Sequence, residues 1–211
     1  MDQAEFRCKW LRLEDIWDCA EAVRNRYWSE DRLPVNVEGI VESKLKLYID
    51  PEHDLMQKTD MEAYLRSDLA GIAVDYDHYM DEKFANRMRF SFAHELGHFF
   101  LHKDMYAVIV FESAEEWKVI LQNLSDTEYR NFEYQANEFA GRLLVPREDL
   151  NHEIENALDV LKRNNLMEFL KVDPYAVLSR ISPQLAKPFG VSTDVIETRV
   201  RREDLWPPNV R

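Results

Sequence analysis

Apolar positions repeat along this chain at two periods, and each period predicts a different element. Trp10, Leu13, Ile16, Trp17, Ala20 and Val23 recur every three to four residues, which predicts an amphipathic helix over 10–28. Pro34 ends that pattern, and a short helix is expected over 37–45. The run Leu45-Lys46-Leu47-Tyr48-Ile49 instead alternates and predicts a strand that stops at Asp50-Pro51. Two more strands are expected over 62–66 and 70–74, joined by a tight polar turn at Ser67-Asp68. The β-branched run Tyr106 to Phe111 predicts a fourth. Helical spacing returns over 85–102, 114–123 and 126–145, and Pro146 suits the first turn of a helix reaching about 163. The fold class read from this order is α+β: a small sheet near two long helices, with a mainly helical C-terminal part. The expected division is a domain over 1–170 and a helical extension over 171–211 packed on it, with Asp173-Pro174 as linker.

The helix expected over 85–102 carries His94-Glu95-Leu96-Gly97-His98. Phe90, Ala93, Phe100 and Leu101 surround the motif with apolar bulk, and no proline occurs between Pro51 and Pro146. Residues four apart on a helix point in nearly the same direction, about 6 Å apart along the axis. Two imidazoles so placed can reach one ion at the roughly 2.0–2.1 Å of a zinc–nitrogen bond. Glu95 is rotated by about 100° from His94. It can therefore flank a water on the ion and take its proton rather than act as a ligand.

A zinc hydrolase needs a third protein ligand and an open fourth position. On the helix expected over 126–145, Glu133, Ala136, Asn137, Ala140 and Gly141 share one face. That face is small apart from its carboxylate and amide, so a second helix can approach it closely. Glu133 is the leading third ligand, with Glu138, Glu128 and the Glu112/Glu115/Glu116 group as competitors. Asn137, one turn beyond Glu133, can hold a ligand imidazole in one tautomer. A third-histidine arrangement is excluded, because the required position is Asp104 and no glycine lies between it and His98. His102 lies about 12 Å along the helix from His94, too far to share the ion, and reads as structural or substrate-side. Tyr106, Tyr129 and Tyr134 are candidate oxyanion donors, while His53, His78 and His152 read as surface histidines.

The stretch Arg89 to His102, followed by Glu133 to Pro146, resembles the ImmA/IrrE family of metallo-endopeptidases. Leu33-Pro34-Val35-Asn36-Val37 with Ile40, and Phe189-Gly190-Val191-Ser192, resemble further segments of that family, so the likeness spans about 33 to 200. The resemblance implies a zincin-like fold, a metal on His94, His98 and Glu133 and catalysis by Glu95. It also implies an intracellular protease whose substrate is a helix-turn-helix repressor of a mobile element or stress regulon. The chain departs from the family pattern in the long acidic insertion around Glu112 to Glu116.

Composition narrows the setting. Hydrophobic residues make up 45% of the chain, enough for a real core, and five tryptophans argue against disorder. No apolar run approaches the ~20 residues of a membrane span. Residues 1–10 lack a basic segment followed by an apolar core, so no signal peptide is expected and the cytoplasm is the expected location. Cys8 and Cys19 read as reduced thiols. A net charge of −13 disfavours direct binding to nucleic acid and favours a basic protein partner. Zn²⁺ is the expected cofactor, with Mn²⁺ also compatible with mixed imidazole and carboxylate ligands.

The rival reading lies at the C-terminus. Leu185 to Ile196 has the spacing of helix, glycine turn and helix, and Arg199, Arg201 and Arg202 could meet phosphates. Asp194 and Glu197 oppose this, because they occupy the face that would read bases. The alternatives to a protease are thus a transcription regulator or binding module with a structural or sensory metal, or a toxin–antitoxin component. Glu95 favours the protease, since a purely structural site does not need it.

Overall fold

The computed structural model describes residues 7–29 and 32–208. Contacts divide the chain into two compact units, Met1–Asp31 with Asn36–Leu143 and Arg32–Val35 with Leu144–Arg211. This division lies earlier in the chain than the boundary read from sequence. Asp173-Pro174 is a helix start rather than a linker: Asp173 accepts the Ala176 N–H at 2.9 Å, and Pro174 opens the helix Pro174–Phe189.

In the first unit, the N-terminal helix Leu13–Tyr27 buries Ile16, Ala20 and Val23, the stripe its periodicity predicts. Asn36 then caps a short turn by accepting the Gly39 N–H at 2.9 Å. The chain passes through a π-helical turn, Ile40–Lys44, closed by Leu45 N–H to the Ile40 carbonyl at 2.9 Å. This moves the first strand. Lys46 has φ 60°, a left-handed conformation that cannot continue a strand, so β1 covers Tyr48–Glu52 rather than 45–49. Pro51 lies inside it. That is tolerated because β1 is an edge strand, where an N–H is not needed on the outer side.

The sheet has the order β1-β3-β2, with β2 at Ala63–Leu65 and β3 at Gly71–Asp75. β1 runs parallel to β3 and β2 antiparallel to it, with Leu65 opposite Ile72 and Ala63 opposite Val74. The expected polar turn joins β2 to β3, closed by Leu69 N–H to the Arg66 carbonyl at 2.9 Å. The expected strand at 106–111 does not form. Lys103–Tyr106 is a helical turn and the chain beyond it is irregular. The alternation that suggested a strand is real, since Ile109 and Phe111 are buried while Val108 and Val110 are exposed. The Ser67 hydroxyl bonds the Phe111 carbonyl at 2.8 Å and Phe111 meets the Tyr64 ring of β2 at 6.1 Å, but among the described residues this run pairs with no strand of the sheet. Alternation here serves a cluster of aromatic rings: Phe111 stacks on Trp117 at 4.7 Å, and Trp117 meets Phe132 edge-on at 6.1 Å.

Two long helices complete this unit. The motif helix, Ala85–Leu101, packs on β2 and buries Phe92, Ala93, Leu96 and Gly97. The glutamate helix, Asp126–Leu144, buries Phe132, Ala136, Phe139 and Ala140. They approach so closely that a Cβ on Gly97 would sit 2.8 Å from Ala136 Cα. The small face expected on the glutamate helix thus has its use in this contact.

The second unit is helical. Arg147–Arg163, with Pro146 as its N-cap, precedes Met167–Val172, Pro174–Phe189 and Thr193–Arg202. Gly190 ends the third of these with φ 61°, the left-handed cap that glycine adopts without strain. The helix runs through Pro183 and Pro188, so Pro188 does not break it. Arg199 is buried and pairs with Glu203, and Arg201 pairs with Glu197 at 3.0 Å. These two of the three candidate phosphate-binding arginines are therefore engaged within their own element. Cys8 and Cys19 are free thiols. Among the described residues, no helix is long and apolar enough to cross a membrane.

Candidate metal centre

The motif helix and the glutamate helix bring three donors to one point. His94 Nε2 and His98 Nε2 are 2.9 Å apart, one helical turn separating their residues. Glu133 Oε2 lies 3.3 Å from His94 Nε2, and Glu133 Oε1 lies 3.9 Å from His98 Nε2. All three residues offer a ligand atom within 4.8 Å of one another. Tetrahedral bonds of about 2.0–2.2 Å place donor atoms roughly 3.3–3.6 Å apart, a spread that these separations bracket. Two neutral imidazoles and a carboxylate are a donor set that suits a divalent ion such as zinc or manganese.

The other carboxylates go elsewhere. Glu138 is buried on a different side of the same helix and accepts the Trp17 indole N–H at 3.2 Å. Glu128 accepts the Ser125 hydroxyl at 3.1 Å, next to the start of the glutamate helix. Glu112, Glu115 and Glu116 surround the N-terminus of the helix Ala114–Gln122, where Glu116 accepts the Glu112 N–H at 2.8 Å. Negative charge at that end complements the helix dipole.

Around the donors, each imidazole has a partner on its far nitrogen. Asn137 Oδ1 is 3.1 Å from His94 Nδ1, so the glutamate helix holds, one turn beyond Glu133, the ring that Glu133 faces. His98 Nδ1 is 2.9 Å from His102 Nδ1. His102 is buried and does not line the cleft, which makes it structural rather than substrate-side. Burial alone would lower the His94 pKa. The hydrogen bond to Glu133, the charges of Glu95 and Glu133, and Asn137 outweigh it and raise it to about 9. His98 is lowered by burial and by its two histidine neighbours.

Glu95 is buried beside the donors, and its Oε2 accepts the Leu65 N–H at 2.8 Å. In the β2–β3 ladder, Arg66 N–H bonds to the Gly71 carbonyl and Asp75 N–H to the Glu62 carbonyl. Leu65 and Ala63 alternate with these and turn their N–H groups to the open edge of β2. Burial, opposed by His94 and assisted by Glu133, raises the Glu95 pKa to about 7.

The donors open onto a cleft of about 330 Å³, whose walls include Glu62, Ala63, Arg87, Leu121 and Tyr129. Of the candidate oxyanion donors, Tyr129 lines this cleft. Tyr134 stacks on Trp10 at 6.3 Å, and Tyr106 is buried with no partner for its hydroxyl among the described residues and its pKa raised, first by burial and then by Glu95 and Glu133. His78 is not the plain surface residue expected. It lies 2.9 Å from Glu62 and stacks on Phe84 at 4.0 Å, while Ser91 and Arg87 also hold Glu62. Sequence reading missed the Leu65 N–H, Gln135 and Phe132, which have no motif of their own. Phe132 stacks on His98 at 4.0 Å and is the kind of apolar residue any core contains.

A family model described as an IrrE N-terminal-like domain, Peptidase_M78, matches residues 78–201, more than half of the chain. The chain belongs to this peptidase family. The matched segment contains both helices that carry the donors, and the likeness read from residues 89–102 and 133–146 falls inside it. A comparison with the curated proteins returned no match.

Proposed function

We propose that this peptidase is a zinc-dependent endopeptidase that makes a defined cut in a basic helix-turn-helix repressor in the cytoplasm. The carrying observation is the convergence of His94, His98 and Glu133 beside a buried glutamate, on the floor of an open cleft. A zinc or manganese ion held by those three residues would supply Lewis-acid activation of a water and of the scissile carbonyl.

The remaining work falls to the chain. Glu95 takes the proton from the attacking water and returns it to the departing amine. Tyr129 lines the cleft, which supports it among the three candidate tyrosines as the donor to the carbonyl oxygen as charge develops. Ala63 lines the cleft on the open edge of β2, so a substrate held extended can pair with that edge. A folded helix cannot do so, which favours a flexible or inter-domain segment as the cut site.

The competing reading is a regulator whose metal is structural. Structural zinc sites are closed by four protein ligands, whereas among the described residues this donor set has three and faces a cleft. The −13 charge supports a basic partner. The test incubates the protein and its Glu95→Gln variant with any small helix-turn-helix repressor found encoded beside it, and with casein, and seeks one defined cut by mass spectrometry. Cleavage of the repressor by the parent alone is expected. An intact repressor with casein readily digested would replace this reading with a nonspecific protease. No cleavage together with tight binding to duplex DNA would favour the regulator.

A further inference from the structure

Behind His98, away from the cleft, a second line of buried polar groups runs to the N-terminal segment. His98 Nδ1 is 2.9 Å from His102 Nδ1, His102 Nε2 is 3.0 Å from Gln135 Oε1, and Gln135 Nε2 is 2.8 Å from the Lys9 carbonyl oxygen. His98 and His102 are each 3% exposed and Gln135 is 0% exposed, so water cannot substitute for a missing partner. Phe132 clamps both rings, with centroids 4.0 Å from His98 and 4.5 Å from His102.

The direction of this chain follows from its last member. A backbone carbonyl can only accept, so the Gln135 amide nitrogen must face Lys9 and donate. Gln135 Oε1 then faces His102, whose Nε2 must carry a proton to bond to it. A neutral His102 with its proton on Nε2 has a bare Nδ1, which can only accept. His98 must therefore donate from Nδ1, and its own Nε2 is left bare, turned toward His94 and Glu133. Each proton position is dictated by the next bond along. The Cys8 thiol borders His102 Nε2 at 4.0 Å, too far to displace the amide.

We propose that His102 and Gln135 are positioning residues for the metal centre: anchored on the Lys9 carbonyl, they set His98 in the one tautomer whose Nε2 lone pair can bind the ion. The inference rests on the reading of His94, His98 and Glu133 as metal ligands. It gives His102 a role that its distance from His94 excludes for direct ligation. It also makes the segment before the first helix part of the metal site's support. Partners of this kind are typically worth about 10–100-fold in metal affinity.

The test uses the full chain and zinc alone. Affinity is measured by competition with a chromogenic chelator for the parent, His102→Leu, His102→Gln and Gln135→Leu. A glutamine at 102 can accept from His98 and donate to Gln135, whereas leucine can do neither. His102→Leu and Gln135→Leu should each weaken zinc by about tenfold or more, and His102→Gln should recover most of the loss. Parent-like affinity in both leucine variants would overturn the inference, as would equal losses in His102→Leu and His102→Gln. A parent that binds no zinc would instead sink the metal-site reading itself. Should the leucine variants fail to fold, nitrogen-15 NMR of the parent's histidine rings decides the matter. Protons on His98 Nδ1 and His102 Nε2, present with and without zinc, are expected. A bare His102 Nε2 would refute the chain.

Discussion

At the scale of single residues, two carboxylates on one helix have opposite fates. Glu133 faces the two imidazoles, while Glu138 bonds the Trp17 indole on another side. Substituting His94 or His98 by alanine should abolish stoichiometric zinc, and Glu133→Ala should weaken it severely. Glu138→Ala should leave the metal in place, since its carboxylate is 3.2 Å from an indole nitrogen rather than at the centre. Metal analysis of the purified variants separates these outcomes, and full zinc retention by Glu133→Ala would refute the third-ligand assignment. Glu95→Gln addresses chemistry rather than binding. An amide cannot accept the water's proton, so turnover should fall by roughly 10²–10⁴-fold with metal and fold retained. Cleavage at the parent rate would contradict the mechanism. Ligation also requires a neutral His94, whose pKa in the metal-free site is raised to about 9. Zinc uptake at neutral pH should therefore release a proton from this ring and weaken as pH falls. Calorimetry in buffers of different ionisation enthalpy would detect that release.

At the scale of elements, the site depends on two helices touching backbone to backbone. A Cβ on Gly97 would lie 2.8 Å from Ala136 Cα and 3.0 Å from its carbonyl oxygen, and neither belongs to a flexible side chain that can move aside. Gly97→Ala should therefore push the glutamate helix away, costing roughly 1–3 kcal/mol as an overpacked contact. A lower denaturant midpoint is the expected readout. An unchanged midpoint would mean that the helices do not meet as described. The short helix Tyr76–Met80 depends on its cap, because Asp75 accepts the Met56 N–H at 2.9 Å and the His78 N–H at 3.0 Å. Burial alone would raise the Asp75 pKa, but these backbone donors outweigh it and lower it. The stabilisation is thus present above the unfolded value of about 3.9 and fades as pH falls through the lower folded value. Urea midpoints of the parent and Asp75→Asn should differ at neutral pH and converge in acid.

At the scale of the whole molecule, charge governs encounter more than chemistry. A net charge of −13 attracts a basic partner over a distance set by the ionic strength. If the substrate is a basic repressor, the association rate should fall by roughly tenfold from low to high salt, while the rate of the chemical step stays flat. Stopped-flow association measured across a salt series would show this. A rate independent of salt would remove charge as a reason for the proposed partner.

How much of this was legible from the chain alone differs by range of interaction. Local periodicity identified the helix at 13–27, both site helices and the two strands that make the β2–β3 hairpin, because those patterns repeat within a few residues. The histidine pair was legible for the same reason, since helical geometry fixes its spacing. The β1 register was not, because Lys46 adopts a left-handed conformation that no pattern signals. The run at 106–111 alternates as a strand does, yet alternation reports burial and not a pairing partner. Helical spacing favoured Glu133 over Glu138 as third ligand, and the tertiary structure set Glu133 against the imidazoles. It alone put the Leu65 N–H on Glu95, and it alone joined Lys9, Gln135 and His102 behind His98. Apart from the His98–His102 bond, which spans one helical turn, those contacts link residues tens of positions apart, so their geometry comes from how elements pack and not from any period along the chain.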